Sequence, residues 1–262
     1  MKTPLYLVLL LIPLLVGCTS MPRHDDDQTG EEGSNKPKQD NPANIYTSLA
    51  VEYMKQGQLD VALRKIKQAV KVDPKSSNAH NIMGIIYQRL GRGGLSEQHF
   101  RRAIKLDNHN FYALNAYGSF LCGRKRYADA YRQFDDAVKN PLNRNKEVAL
   151  ANAGICAYGE GRRSMSDEYL RKALSVSPGY YPALAQMAEI SYDLGDYMSA
   201  RAYLKRYQAV ARHTSKTLWV GVRTEHRLGD RNAEASYRLL LRNRFPDSNE
   251  YRLMSKMAPK DG

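Results

Sequence analysis

Residues 77–110 read SNAHNIMGIIYQRLGRGGLSEQHFRRAIKLDNHN. Set beneath residues 43–76, ANIYTSLAVEYMKQGQLDVALRKIKQAVKVDPKS, they agree in pattern at an offset of 34. Leu49-Ala50 meets Met83-Gly84, Tyr53 meets Tyr87, Gly57 meets Gly91, Ala62 meets Ser96 and Ile66 meets Phe100. The correspondence continues downstream. Tyr117-Gly118, Ala153-Gly154 and Met187-Ala188 repeat the large-then-small pair. Ala130, Ser166 and Ala200 repeat the next small position, and Phe134, Leu170 and Leu204 the large one four residues on. A fixed period of this length has to be read before any local motif, because each unit is one supersecondary element that cannot bury its apolar face alone.

The spacing has a mechanical meaning. Apolar residues at helical period on both sides of a glycine predict two amphipathic helices per unit. Small residues at fixed places let the two pack closely, and the large ones fill the holes between pairs. Pro74 and Pro178 close their units, because proline cannot continue a helix. Units begin at 43, 77, 111, 147 and 181, with two extra residues within 140–146. A degenerate sixth begins near 215, with Leu218, Leu228-Gly229-Asp230, Ala235, Leu239 and Pro246. The pattern resembles the tetratricopeptide repeat over almost all of 43–262. That resemblance implies an all-α, right-handed superhelix of about six repeats, twelve or so helices, with a concave inner surface.

The start of the chain is of another kind. Lys2 precedes a nearly apolar run, Leu5–Val16, too short for a permanent span of about 20 residues. Leu15-Val16-Gly17-Cys18 resembles the lipobox of bacterial lipoproteins. It implies a signal peptide at 1–17, removed before an acylated Cys18; the plainer alternative is a secretory signal with an incidental cysteine. Several acyl chains would anchor the protein stably, each buried methylene contributing about 0.8 kcal/mol. Residue 19 is Thr rather than the Asp that marks inner-membrane retention, which implies the outer membrane. Residues 18–42 hold Asp, Glu, Gly, Ser, Asn, Pro and Lys and nothing aliphatic larger than Met21. They read as a disordered tether with an r.m.s. reach of roughly 25–30 Å.

Net charge is +13. Lys2 leaves with the leader and residues 19–42 carry three basic against six acidic residues, leaving +15 on 43–262. Such a field favours anionic partners unless it only solvates a face. Nucleic acid is disfavoured: the tyrosines fall largely at repeat-core positions such as Tyr53, Tyr87, Tyr117 and Tyr197, and an exported protein seldom meets it. The six histidines show no metal-ligand spacing, and C-x-x-C, H-E-x-x-H and G-x-S-x-G are absent from the sequence. Gly91, Gly93 and Gly94 coincide with an inter-helix turn the repeat already demands. The sequence therefore predicts no enzyme, no cofactor, no metal and no small-molecule substrate.

Two cysteines remain, Cys122 and Cys156, late in the first helices of repeats three and four. An even pair in an oxidising compartment predicts a disulfide, the alternative being two buried thiols. The concave groove is the remaining candidate site. In this repeat class it is lined by unit positions 2, 5, 9, 12 and 13. That predicts Asn44, Thr47, Val51, Met54 and Lys55 from the first unit and Asn78, Asn81, Ile85, Gln88 and Arg89 from the second. Tyr112, Asn115 and Ser119 follow, then Ile155 and Tyr158, then Glu189, Tyr192 and Asp193. Amides beside an apolar row suit a partner's backbone and side chains together; individually, these residues are equally suited to solvent or neighbouring helices.

SLAVEYMKQGQ (48–58), GSFLCGRKRY (118–127), KNPLN (139–143), NAGICAY (152–158) and LGDRNAEASYRLLLRNRFPDS (228–248) resemble the type IV pilus biogenesis and stability lipoproteins, the PilF/PilW family. Asn143 stands where that family has tyrosine. The resemblance implies a pilotin-like role. The protein would be lipid-anchored at the outer membrane, facing the periplasm, with secretin subunits of the pilus as partners. A scaffold for another envelope machine, or an activator of a periplasmic cell-wall enzyme, is the alternative.

Overall fold

The computed structural model describes residues 41–257. The expected leader, Cys18 and nearly all of the tether lie outside the described residues. Within them six helix pairs follow one another. They are α1 (Pro42–Lys55) with α2 (Leu59–Val72), α3 (Ser77–Arg89) with α4 (Gly93–Leu106), and α5 (Phe111–Gly123) with α6 (Tyr127–Lys139). Next come α7 (Lys146–Glu160) with α8 (Arg163–Val176), α9 (Tyr181–Asp193) with α10 (Tyr197–Val210), and α11 (Ser215–Leu228) with α12 (Arg231–Arg244). Each pair packs on the next and first helices pack side by side, making the right-handed superhelix of tetratricopeptide repeats.

Local chemistry punctuates the helices. Asn110 Oδ1 accepts the Ala113 N–H (3.0 Å) and Ser76 Oγ that of Ala79 (3.2 Å), capping α5 and α3. Gly57, Gly91, Gly161, Gly195 and Gly229 take φ between +73° and +89° in the turns between first and second helices. The third turn has Lys125 at φ +60° in that place.

The small residues sit at the crossings. A Cβ on Gly84 would stand 2.8 Å from the Phe100 ring, and one on Gly118 2.7 Å from that of Phe134; Gly154 meets Leu170 and Gly221 meets Tyr237 the same way. Phe100, Phe134 and Leu170 are almost wholly buried. Ser96 and Ser166 add a bond, donating to the carbonyls of Gly84 (2.8 Å) and Gly154 (2.7 Å).

The sixth unit is in better register than its sequence suggested. Val220-Gly221 supplies the large-then-small pair and Tyr237 faces Gly221, whereas Ala235 and Leu239, expected inside, are exposed. α11 and α12 begin 34 residues after α9 and α10, so the unit starts at Ser215 as expected, and the Gly221–Tyr237 contact alone comes one residue early. A thirteenth helix, α13 (Asn249–Lys256), was not anticipated. Its Met254 is buried with Leu218, Val222 and Leu241, closing the end of the stack.

The insertion between repeats three and four is held by amides. Asn143 is buried, donates to the Ala137 carbonyl (2.9 Å) and accepts from the Asn145 N–H (2.9 Å). Across this junction Cys122 of α5 and Cys156 of α7 are joined, their Cα atoms 5.8 Å apart. In the second repeat His80 and His99 share a hydrogen bond between Nδ1 atoms (2.9 Å), and His80 Nε2 meets the Pro74 carbonyl (3.2 Å). Burial, then the His80 neighbour, pushes His99 down to about 4.

Three outcomes follow. Gly118→Val is expected to destabilise the domain by about 2–3 kcal/mol in urea titration, since Phe134 must leave its rotamer to admit the side chain. Reduction of Cys122–Cys156 is expected to remove roughly 3–4 kcal/mol in the same assay by freeing a long loop in the unfolded chain. His99 favours the neutral ring when folded. Its contribution is therefore complete above the ordinary value of 6.5 and is lost as pH falls from there towards 4. NMR titration of the ring should show a midpoint near 4; one above 6 would contradict the burial argument.

Candidate functional site: the concave groove

The first helices α1, α3 and α5 present one face to the inside of the superhelix. There they enclose a groove of about 700 Å³ lined by Thr47, Val51, Asn78, Asn81, Ile85, Tyr112 and Asn115, together with Ser48, Glu52, Lys55, Ile82 and Ala116. Seven of the ten residues proposed for binding from repeat position thus come together. Val51 and Ile85 are half-buried, and Ile82 and Ile85 pack onto the core cluster of the first two repeats, so the Ile85 end of the row is backed by buried side chains. Tyr112 is 57% exposed and stands at the rim.

The amides differ in what they can still offer. Asn78 Oδ1 already accepts from Asn110 Nδ2 (2.9 Å), and Asn115 Oδ1 from Asn152 Nδ2 (2.9 Å). Asn81 is 5% exposed and its Oδ1 has no hydrogen-bond partner. Most buried polar atoms are paired, so an orphaned acceptor in a groove wall departs from the rule in the direction a ligand would correct.

Three of the ten lie elsewhere. Met54 is buried with Ala50, Ile66 and Ile86 in the core, its carbonyl accepting from Arg89 (3.0 Å). Gln88 holds the same repeat position but lies outward, beside Gly91, Phe120 and Arg124. The apolar side chain at that position goes in and the polar one stays out. Asn44 lies with Ile45 and Leu49 at another hollow on α1, which shares Ser48 and Glu52 with the groove but opens beside it.

Repeats four to six form a second basin of about 520 Å³, chemically unlike the first. Tyr158, Tyr181 and Trp219 line it with Gln186, Glu189 and Arg223. Arg223 donates to Glu189 (2.8 Å) and lies over the rings of Tyr192 (4.3 Å) and Trp219 (5.3 Å). The Tyr158 hydroxyl donates to Asp193 (2.5 Å), and burial and that carboxylate hold its pKa well above the ordinary phenol value. Tyr158, Glu189, Tyr192 and Asp193, all predicted from position, are thus occupied with other protein groups. Ile155 is 38% exposed, and Ser119 donates to the Asn115 carbonyl (3.0 Å). Trp219 and Arg223 stand at unit positions 5 and 9 counted from 215, so the position rule reaches them once it is extended to the degenerate sixth unit.

Among the described residues no group of three or more His, Cys, Asp or Glu is placed to hold a metal, and no helix is long and apolar enough to cross a membrane.

Paired helices, small residues at every crossing and a lined concave face define a tetratricopeptide-repeat scaffold, and residues 47–111 match the family profile described as Tetratricopeptide repeat. The type IV pilus assembly protein PilF of Pseudomonas aeruginosa is 27% identical over 94% of this chain and 95% of its own length. Its solved structure superposes with a TM-score of 0.71, covering 82% of this chain and 97% of that one. The structure of PilW, a widely conserved type IV pilus biogenesis factor, superposes at 0.72 with 31% identity, over 82% of this chain and 98% of that one. The chain belongs to the PilF/PilW family of tetratricopeptide-repeat proteins.

Proposed function

We propose that this protein is a binding scaffold of type IV pilus biogenesis that holds a segment of the pilus secretin in the groove of repeats one to three. The observation that carries the reading is that groove. It combines an apolar row, Val51 and Ile85, with an unpartnered Asn81 carbonyl, in a chain similar to PilF over 94% and to PilW over 82% of its length. An apolar row takes a partner's side chains while an amide reads its backbone, as peptide-recognising grooves do. The PilF-like match supports a scaffolding rather than a catalytic role. The lipobox-like Leu15–Cys18 supports attachment by acyl chains on Cys18 to the periplasmic face of the outer membrane. On this reading the anchor supplies local concentration and the groove supplies capture, so that secretin subunits meet and multimerise at one membrane.

Deletion in the native host, followed by membrane fractionation and unboiled gels probed for secretin, tests it. Heat-resistant multimers should vanish or move to the inner membrane. Multimers that persist in the outer membrane, with normal pili, would assign the scaffold to another partner. The double variant Val51→Asp, Ile85→Asp should fold, because both positions are only half-buried, and should weaken secretin capture by at least tenfold in pull-down. Unchanged capture would move the binding site out of this groove.

A further inference from the structure

The turns between first and second helices all lie along one edge of the superhelix, and they are built in two ways. In repeats five and six the residue before the second helix is Asp196 or Asp230, and each caps the helix: Asp196 Oδ1 accepts from Ser199 N–H (3.0 Å) and Asp230 Oδ1 from Ala233 N–H (3.0 Å). In repeats two, three and four the same position holds Arg92, Arg126 and Arg162, and none of these helices has a side-chain cap. An arginine there forgoes the capping bond and sets a positive charge against the positive end of the helix dipole. The third turn departs further. Lys125, at φ +60°, replaces the glycine found at the equivalent place in the other five repeats. Side chains rarely adopt that conformation without a steric penalty. The first repeat's Gln58 is uncapped as well, and in the three central turns the capping bond is given up where a cation stands.

These cations are largely free. Glu97 and Asp129 neutralise Arg126 at 2.8 and 3.0 Å, and Glu160 accepts from Tyr131 (2.6 Å). Arg163 lies over the Tyr158 ring (3.9 Å), 3.8 Å from Asp193. Among the described residues Arg92, Lys125 and Arg162 are exposed with neither a hydrogen bond nor an ion pair to their side chains. Arg124 is exposed too, and its guanidinium lies against Gly93 of the preceding turn, which joins the second and third turns.

We propose that this edge docks on an anionic phospholipid surface. Two features favour a membrane over an acidic peptide. The hollow between the second and third turns, beside Gln88, Phe120 and Arg124, is about 150 Å³, the size of a headgroup rather than a peptide segment. The turn of repeat five then adds Leu194 and Met198, 64% and 63% exposed, to the same edge. Basic side chains beside exposed apolar ones are what interfacial binding uses: the cations meet the headgroups and the apolar side chains enter the acyl boundary. This proposal is independent of the secretin reading, since none of the turn residues it uses lines the groove of repeats one to three.

The test compares flotation of the full chain with vesicles of phosphatidylcholine alone and of phosphatidylcholine mixed with phosphatidylglycerol. The apolar leader contributes to both, so the ratio of the two partition constants isolates the edge. A preference for the mixed vesicles that disappears in high salt is expected. The triple variant Arg92→Gln, Lys125→Gly, Arg162→Gln should lose on the order of fivefold per cation, roughly a hundredfold in all. Lys125→Gly alone should raise the thermal midpoint while weakening binding, which separates docking from folding. A control triple, Lys67→Gln, Lys71→Gln, Lys105→Gln on α2 and α4, should retain the preference. Equal loss in the control would reduce the effect to net charge and overturn the proposal. So would a wild-type chain that ignores phosphatidylglycerol, including one that instead binds a polyglutamate peptide.

Discussion

The close crossing of two helices, made once per repeat, is what everything else in this molecule depends on. Where Gly84 meets Phe100 and Gly118 meets Phe134, the absence of a Cβ brings the helix axes near enough for one aromatic ring to close the gap. That contact sets the angle within a pair, and the angle sets how the next pair lies upon it. The curvature that produces a concave face is the accumulated result, so a few missing methyl groups govern the shape of a groove many residues away.

Much of this was legible because the constraint is periodic. Six pairs, their turns and their core positions could be read from spacing, since close packing demands a small residue at a fixed place whatever its neighbours are. The misreadings came where a local choice overrode the period. Met54 and Gln88 share a position, yet hydrophobicity draws one into the core and leaves the other at the surface. Ala235 and Leu239 read as core positions, yet α12 keeps its 34-residue offset from α10 and buries Glu234 and Leu241, while Tyr237 faces Gly221. The helix α13 could not be inferred from a repeat because it is outside the repeat, a cap whose need comes from the exposed end of the stack. The groove was legible as a place, through position rules. Its chemistry was not, because whether Asn81, Asn78 or Asn115 still has a free acceptor depends on which other amide reaches it.

The concave surface is divided rather than uniform. The first basin is apolar with amides, and its walls are held by core packing. The second is aromatic and charged, and its groups are mostly engaged with one another through Arg223, Glu189 and Tyr192. Adapting the second basin to a partner would require exchanging existing bonds, whereas the first accepts a partner with little rearrangement. This asymmetry supports the proposal that capture takes place near the start of the repeat array.

The joint between Cys122 and Cys156 has a consequence for how the array behaves under load. A stack in which each repeat touches only its neighbours is a chain of nearly independent links, and such a chain parts at its weakest junction. The insertion at 140–146 lies at one such junction, where amide bonds hold it. A covalent tie from α5 to α7 bridges it, so the first three repeats cannot separate from the last three while the thiols are oxidised. The two sides of that junction are thereby tied by a covalent bond as well as by packing, so pulling cannot part them there while the bond is intact.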